Sequence, residues 1–398
     1  ACPILGEVVR AASWEHRMGK RARDERRHVE RLRRSAGGAA DVADRAERGL
    51  STLIEGVKEV AAAQGHRVRD FNVGGFERVR QRFLDRGHRW PSWCYLPVPL
   101  VGAALGEEVA IDINPSLVSP ATMLAALVGA WMPGRIAVRF DADLAHALMD
   151  TPLEATIPVE VLQRLPAWGL YIDTPDLGPG TGFFVALDAG HLETRGQPPA
   201  VETDELFLAV VRDDPVPPRL MITSLWLLPG ATIAESVAAQ ERQTAEHGTG
   251  ILGSGEQRWA EVFGMPRHEA EARLLSLVLY LCSEGADTTR NDIPTGGGRA
   301  RQTANRQVTV VSAGFRLGAA LRLGSTGPSD PSGNTIGRRV APHLRRAHWH
   351  HYWCGSDTHG DRHLELRWVP PVPVNADLSD KMLTVVRPAG DPQQDSRN

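Results

Sequence analysis

A change of hydrophobic periodicity near residue 157 constrains the fold of this chain more than any other feature of the sequence. From there, apolar side chains recur in short runs typical of β-strands, at residues 168–173, 183–188, 205–211 and 220–227. A Pro-Gly-Thr-Gly turn at residues 179–182 separates the first two runs. Successive strands on short turns pair antiparallel, because a parallel pair needs a long crossover connection. The sequence therefore predicts an antiparallel meander.

Helical patterns surround these strands. Residues 5–64 have helical spacing, and the part from 17 to 34 is dense in Arg and Glu with few apolar positions. Such a polar helix is typical of a solvated surface, although an arginine-rich arm that binds RNA is the alternative. Residues 120–132 and 267–284 predict buried helices, and Thr232-Ile233-Ala234-Glu235 has the spacing of a capping box that opens another.

We therefore predict an α+β fold, with an Arg-rich helical N-terminal region followed by an antiparallel sheet with packed helices. The expected divisions are a helical N-terminal region at residues 1–110, an α+β domain at 111–376 and a disordered tail at 377–398.

Charge is segregated along the chain. Residues 1–90 hold 20 Lys and Arg against 13 Asp and Glu, and residues 291–376 hold 11 against 5, whereas residues 91–290 hold 11 against 26. Basic ends favour either a polyanionic partner or contact with the acidic middle of the same chain. The four cysteines are far apart and form no CxxC pair, which favours a reduced, cytoplasmic setting. No apolar run is long enough to predict a membrane span.

The candidate functional residues concentrate near the C-terminus, where histidine, tryptophan, tyrosine and arginine are unusually dense. Two runs, 342–355 and 363–375, flank a polar Gly/Asp turn and predict a β-hairpin. The candidate binding residues are His343, Arg345, Arg346, His348, Trp349, His350, Tyr352, Trp353, Arg367 and Trp368.

Alternation along a strand places His348, His350 and Tyr352 on one face of this hairpin, and Trp349, His351 and Trp353 on the other. Four interpretations remain open. The rings and arginines can stack on bases and contact phosphates. His348 and His350 are candidate catalytic residues for acid–base cleavage of RNA. The same pair can begin a metal site. The hairpin can also be an aromatic core.

The metal interpretation needs further ligands, which His343, His359, Asp361 and His363 could supply, but no spacing fixes one of them. We predict no metal and no cofactor. The Gly-rich segments at 178–182 and 295–298 lack the Gly-Lys-Ser/Thr ending of a phosphate-binding loop, and no GxSxG nucleophile motif is present. Asp173, Asp176 and Asp188 are candidate cation ligands, with solvated turn carboxylates as the preferred interpretation. The sequence therefore favours a binding protein over an enzyme.

The C-terminal pattern resembles the second family of type V-A anti-CRISPR proteins. The resemblance is carried by Pro342-His343, Arg345-Arg346, His348-Trp349-His350, Tyr352-Trp353 and Gly355, followed by Arg367-Trp368, Pro371 and Val374-Asn375. Weaker matches are Gly129-Ala130-Trp131, Leu165-Pro166, Trp168, Tyr171-Ile172-Asp173 and Leu274 to Cys282. The resemblance as a whole covers about residues 75–376.

This resemblance implies a cytoplasmic protein of mobile-element, phage or plasmid origin. It implies that the chain lowers expression of a type V-A CRISPR effector nuclease by engaging the nascent polypeptide, its mRNA or both, with association with the ribosome as a further expectation. It supplies no catalytic residues. This chain departs from the family in its longer N-terminal helical region and in expanded loops near residues 190–200 and 285–305.

Overall fold

The computed structural model of the chain describes residues 38–63, 73–106, 120–153, 156–174, 181–190, 204–212, 219–247, 256–291, 307–325, 343–345, 347–355 and 363–374. The predicted arginine-rich helix at 17–34 and the predicted tail at 377–398 lie outside these residues.

Helices come first along the described chain, four strands follow one another in the middle, and further helices and strands follow. The helices are α1 (residues 38–63), α2 (Val73–Asp85), α3 (Val98–Gly106), α4 (Pro120–Trp131), α5 (Ala142–Met149), α6 (Ile233–His247), α7 (Glu256–Phe263), α8 (Arg267–Cys282) and α9 (Phe315–Ser325), with a 3₁₀ turn at Val159–Arg164. The strands are β1 (Ile136–Phe140), β2 (Gly169–Asp173), β3 (Thr181–Asp188), β4 (Asp204–Arg212), β5 (Leu220–Leu227), β6 (Thr288–Asn291), β7 (Thr309–Ala313), β8 (His343–Arg345), β9 (His348–Cys354), β10 (His363–Val369) and β11 (Val372–Val374).

The described residues form a seven-stranded sheet in the order β5-β4-β3-β2-β1-β7-β6. Strands β2 to β5 pair antiparallel in sequence order, which confirms the predicted meander and the α+β class. Strand β1 differs, because it pairs parallel with both β2 and β7. The sheet is therefore mixed, and the chain between β1 and β2 is a crossover that carries α5 and the 3₁₀ turn.

Each face of the sheet is covered by its own hydrophobic cluster. Alternate residues such as Phe183 and Leu208 pack with α5, α8 and the C-terminal strands β9 and β10. Their neighbours, such as Phe184 and Phe207, pack with α1 to α4. Every residue of β2 and β3 is buried, because both faces of these central strands are covered. The predicted division at residue 110 stays a prediction, although helices on either side of it share one cluster.

Close packing between α4 and the sheet depends on Gly169 at the start of β2. A Cβ at this position would lie 2.7 Å from the backbone nitrogen of Trp131 at the end of α4. Glycine is therefore the residue that lets the two backbones approach.

The capping box is present at the start of α6. The Glu235 carboxylate accepts from the backbone N–H of Thr232 at 2.8 Å, and the Thr232 hydroxyl accepts from the backbone N–H of Glu235 at 3.2 Å. The hydrogen bonds from the Thr232 backbone and hydroxyl lower the pKa of Glu235. The helix start predicted from four residues is thus confirmed. No described helix is long and apolar enough to cross a membrane.

Candidate functional site

The predicted C-terminal hairpin is formed by β9 and β10, which pair antiparallel over their full lengths. Trp349 lies opposite Trp368, His350 opposite Arg367 and Tyr352 opposite Glu365. Residues directly opposite each other share a face, so the register sorts the side chains into two sets. The predicted alternation of the two faces is confirmed.

The inner face of the hairpin is part of the protein core. Trp349 is 1% exposed, Leu366 is fully buried and Trp368 is 8% exposed. The Trp368 indole donates to the Thr151 hydroxyl at 3.1 Å. The rings of Trp368 and Tyr280 are packed edge to face, with 6.5 Å between their centroids. These tryptophans are packed away from solvent, and in this structure their rings serve the core.

Helix α8 and the turn after it hold the hairpin in place. The backbone N–H of Glu284 donates to the carbonyl of Leu366 at 3.2 Å. The Tyr280 hydroxyl accepts from the backbone N–H of Asp287 at 3.0 Å, and burial raises the pKa of Tyr280 to about 12. Asp287 in turn pairs with the guanidinium of Arg316 at 2.6 Å. The hairpin is thus held in place by a backbone hydrogen bond and by the packing of its aromatic rings.

The outer face of the hairpin, formed by His348, His350, Tyr352 and Arg367 and called here the outer ladder, points toward solvent. The ring centroids of His348 and His350 lie 6.2 Å apart, and those of His350 and Tyr352 lie 4.5 Å apart. Tyr352 is 41% exposed, and His350 and Arg367 are exposed as well. The outer ladder therefore offers several aromatic rings in a row at the surface.

A guanidinium completes the outer ladder. The Cζ of Arg367 lies 5.5 Å from the centroid of the Tyr352 ring, in the range of a cation–π contact. The Glu365 carboxylate accepts from Arg367 Nε at 3.1 Å and also from its Nη2, and this hydrogen bonding raises the pKa of Arg367. The pair orients a permanent positive charge beside the aromatic rings. Such a surface can stack on planar groups and contact anionic or carbonyl oxygens.

Several candidate residues fall outside the described side chains. Arg346, His359 and Asp361 lie outside the described residues, as do the side chains of His343, Arg345, Trp353 and His363. No group of three or more His, Cys, Asp or Glu that could hold a metal ion occurs among the described residues. The assignment of all these positions as binding or ligand residues stays a prediction.

The long aromatic run predicted as one strand is interrupted. Residues His343–Arg345 form β8, which pairs with β11, whereas β9 begins at His348 and pairs with β10. The two pairs belong to separate two-stranded sheets. The first arginine of the candidate set is therefore on a different sheet from the outer ladder.

Two of the aspartates considered as cation ligands have structural roles instead. Asp173 at the end of β2 is buried and accepts from Nε and Nη2 of Arg45, both at 2.7 Å. Asp188 is buried and accepts from the backbone N–H of Val98 at 2.8 Å. The preferred interpretation as solvated turn carboxylates is wrong for both, because helices α1 and α3 cover them. Asp176 lies outside the described residues.

The sequence patterns did not reveal a cluster of charged residues around Asp173. Arg139 on β1 lies near Asp173 and Arg45, and burial lowers its pKa. Its Cζ is 5.0 Å from the ring centroid of Phe315 on α9. No local signal marks this cluster, because its members are brought together by the parallel pairing of β1 with β2 and by the packing of α1.

A second aromatic group lies at the other end of the central strands. The guanidinium of Arg80 lies over Tyr95 at 5.6 Å and over Trp168 at 5.3 Å. The Trp168 indole donates to the carbonyl of Ser92 at 2.8 Å. A groove of about 560 Å³ opens beside it, and its lining includes Trp93, Pro133, Gln163, Leu165 and Trp168. The Trp93-Cys94-Tyr95 segment thus packs against Trp168, with 5.2 Å between the ring centroids of Tyr95 and Trp168.

Comparison with known proteins agrees with the sequence resemblance. The sequence model of the anti-CRISPR type V subtype A2 family, described as AcrVA2-like, matches residues 138–376, which is more than half of the chain. The crystal structure of AcrVA2 aligns with 81% of this chain and 98% of its own, at 20% sequence identity and a TM-score of 0.45. No curated protein sequence matches the chain.

Proposed function

This chain belongs to the anti-CRISPR type V subtype A2 family, and we propose that it lowers expression of a type V-A CRISPR effector nuclease. Its partner would be the nascent effector polypeptide, the mRNA that encodes it, or both. The contact surface would be the outer ladder of the β9–β10 hairpin.

The observation that carries this proposal is that one face of the hairpin is buried in the core while the other is exposed. The inner face supplies Trp349, Leu366 and Trp368 to the core, but the outer ladder remains at the surface. Exposed rings at alternate positions contribute little to folding, so their density at this face needs another reason. Contact with a partner supplies that reason.

The chemistry of the outer ladder fits either partner. Aromatic side chains stack on unpaired bases with about 1–3 kcal/mol per base, whatever the sequence. The same rings can pack on apolar or aromatic side chains of an emerging polypeptide. Arg367 is held beside Tyr352 by Glu365, so a phosphate or carboxylate would meet a guanidinium that is already positioned.

Crosslinking of the tagged chain to RNA in its host, followed by sequencing, tests the proposal. Wild type is compared with Tyr352→Ala/Arg367→Ala, and Arg78→Ala/Arg242→Ala is the matched control because both control arginines are exposed and lie on α2 and α6. Ribosome–nascent-chain complexes treated with ribonuclease are captured in parallel.

Loss of defined messages in the hairpin variant alone would support an mRNA partner. If the hairpin variant loses only the capture of nascent chains, and ribonuclease does not reduce that capture by wild type, the result would support a polypeptide partner. If the folded hairpin variant retains both signals at the level of the control, the outer ladder is not the contact surface and the proposal fails.

A ribonuclease remains the alternative because His348 and His350 are neighbours on the same exposed strand face. His348→Ala and His350→Ala separate the two functions. A nuclease would lose turnover of RNA in either variant while retaining RNA binding. A binding protein would show no RNA turnover in wild type and only partial loss of binding in either variant.

A further inference from the structure

The groove beside Trp168 lies where strands β1 and β2 both begin. Gly134 lines it just before β1, and Gly169 lines it at the first position of β2. These segments are held by the pairing of β1 with β2 and by the hydrogen bond from the Trp168 indole to the Ser92 carbonyl. Its volume of about 560 Å³ is typical of ligand-binding pockets. The groove is therefore a concave site built on fixed elements of the fold.

Aromatic and proline side chains give the groove its apolar character. Trp93 and Trp168 line it and are half-buried, so each leaves part of its ring at the surface. Pro133 and Pro166 line it as well and are exposed. Flat apolar surfaces of this kind pack well against other rings.

None of the residues that line the groove is charged. Two arginines follow lining residues directly in the sequence, and both are ion-paired, Arg135 with Glu47 and Arg164 with Glu284. Such a lining offers nothing to offset the loss of hydration of a charged ligand. The groove therefore favours an uncharged one.

The groove also offers hydrogen-bond donors that the fold does not use. Within the described part of the chain, neither the Trp93 indole N–H nor the Gln163 side-chain amide has a hydrogen-bond partner. An indole can only donate, so a ligand with free carbonyl oxygens suits it. Proline lacks a backbone N–H, and the carbonyls of a polyproline II segment make no internal hydrogen bonds.

We propose that this groove binds an uncharged, proline-rich segment of another protein in the polyproline II conformation. Proline rings of the ligand would pack on the indoles of Trp93 and Trp168, and its carbonyls would accept from Trp93 Nε1 and Gln163 Nε2. Aromatic grooves bind such segments because the ligand is already extended and loses little conformational entropy. The site is separate from the outer ladder and stands whichever partner the outer ladder takes.

Two connections outside the described residues leave the sheet at this end. They are residues 191–203 between β3 and β4, and residues 292–306 between β6 and β7. Both contain charged residues, so the probe must be uncharged and its binding must not depend on salt. A variant with a short Gly-Ser linker in place of residues 191–203 tests whether the chain fills its own groove.

Fluorescent peptides test the proposal on the full chain. The probe is a labelled oligoproline. One control is a Gly-Ser peptide of the same length, which is uncharged but flexible, and a second replaces alternate prolines by glutamate. We expect fluorescence anisotropy to show binding of oligoproline that is equal at low and high salt, and at least about tenfold weaker binding of both controls.

Variants of the chain locate the contact. Trp93→Ala should weaken the binding of oligoproline at least about tenfold, and Gln163→Ala about fivefold, as the loss of one hydrogen bond would. Trp90→Ala and Gln81→Ala are the matched controls, because Trp90 is half-buried, Gln81 is exposed and neither lines the groove. Both controls should leave the affinity for oligoproline unchanged.

Five results would overturn the proposal. The first three are no binding of oligoproline by the full chain, binding equal to that of the Gly-Ser peptide, and equal effects of Gln163→Ala and Gln81→Ala. Binding that appears only after residues 191–203 are replaced would assign the groove to the chain itself. A dimer that is lost in Trp93→Ala would assign it to a second copy. The peptide controls leave the chain unchanged, so the test stands even if Trp93→Ala fails to fold.

Discussion

The central meander and the C-terminal hairpin are both antiparallel, yet they use their two faces differently. In β2 and β3 every residue is buried, because helices cover both faces of the sheet. In the β9–β10 hairpin one face is core and the other carries the exposed outer ladder. The same alternating backbone can therefore devote all of its side chains to folding or only half of them.

Adjacent phenylalanines in the meander give the strongest test of this difference. Phe183 and Phe184 point to opposite faces and belong to the two different clusters. Phe183→Ala and Phe184→Ala should each cost about 3–5 kcal/mol of unfolding free energy, measured by chemical denaturation. If one of the two costs less than about 1 kcal/mol, that face of the meander is not packed as described.

Adjacent residues in the hairpin should behave unequally. Trp349→Ala removes a buried ring and should lower the free energy of unfolding by about 3–5 kcal/mol. His350→Ala, on the exposed face, should change it by no more than about 0.5 kcal/mol. Thermal melts of the two variants beside wild type measure this. Similar losses in both would show that the outer ladder also supports the fold.

Gly169→Ala probes how tightly the meander is packed against its helices. The new Cβ would meet the backbone of Trp131 at 2.7 Å, and backbone cannot move aside as a side chain can. We expect a loss of about 1–3 kcal/mol in denaturant titration. Gly134→Ala is the matched control, because its nearest neighbour would be 3.6 Å away. Equal stability of the two variants would refute the close approach of α4 and β2.

Thr232→Ala tests the capping box that follows the meander. It should lower the free energy of unfolding by about 1 kcal/mol at neutral pH. The pKa of Glu235 is lower in the folded chain than its ordinary value of 4.5, so its stabilising contribution is present above that value. It is lost as the pH falls through the lower, folded pKa. The difference in unfolding free energy between wild type and variant, measured by urea titration, should therefore become smaller below pH 4.5. A difference that does not change with pH would exclude a role for the Glu235 carboxylate.

Local patterns explain what could be predicted from the sequence. The meander strands, the capping box and the two faces of the hairpin depend on residues a few positions apart, and the structure confirms them. Strand β1 has a similar signal, since Ile136, Val138 and Phe140 alternate along it, but this signal is only five residues long. Its parallel partners follow far along the chain, and no local pattern names them.

Pairings between distant residues explain the rest. Arg45 and Asp173 are 128 positions apart, so neither residue signals the other in the sequence. The break between β8 and β9 falls in a continuous aromatic run without Gly or Pro, and only the separate partners β11 and β10 reveal it. The sequence located the region of the candidate site, but burial divided its residues between core and surface.

The one-sided packing of the hairpin has a consequence for how this protein can change over generations. Because the outer ladder contributes little to the core, substitutions at alternate positions of β9 and β10 can accumulate without loss of the fold. Substitutions in the outer ladder therefore change the surface chemistry of the hairpin, while the inner tryptophans keep the scaffold constant.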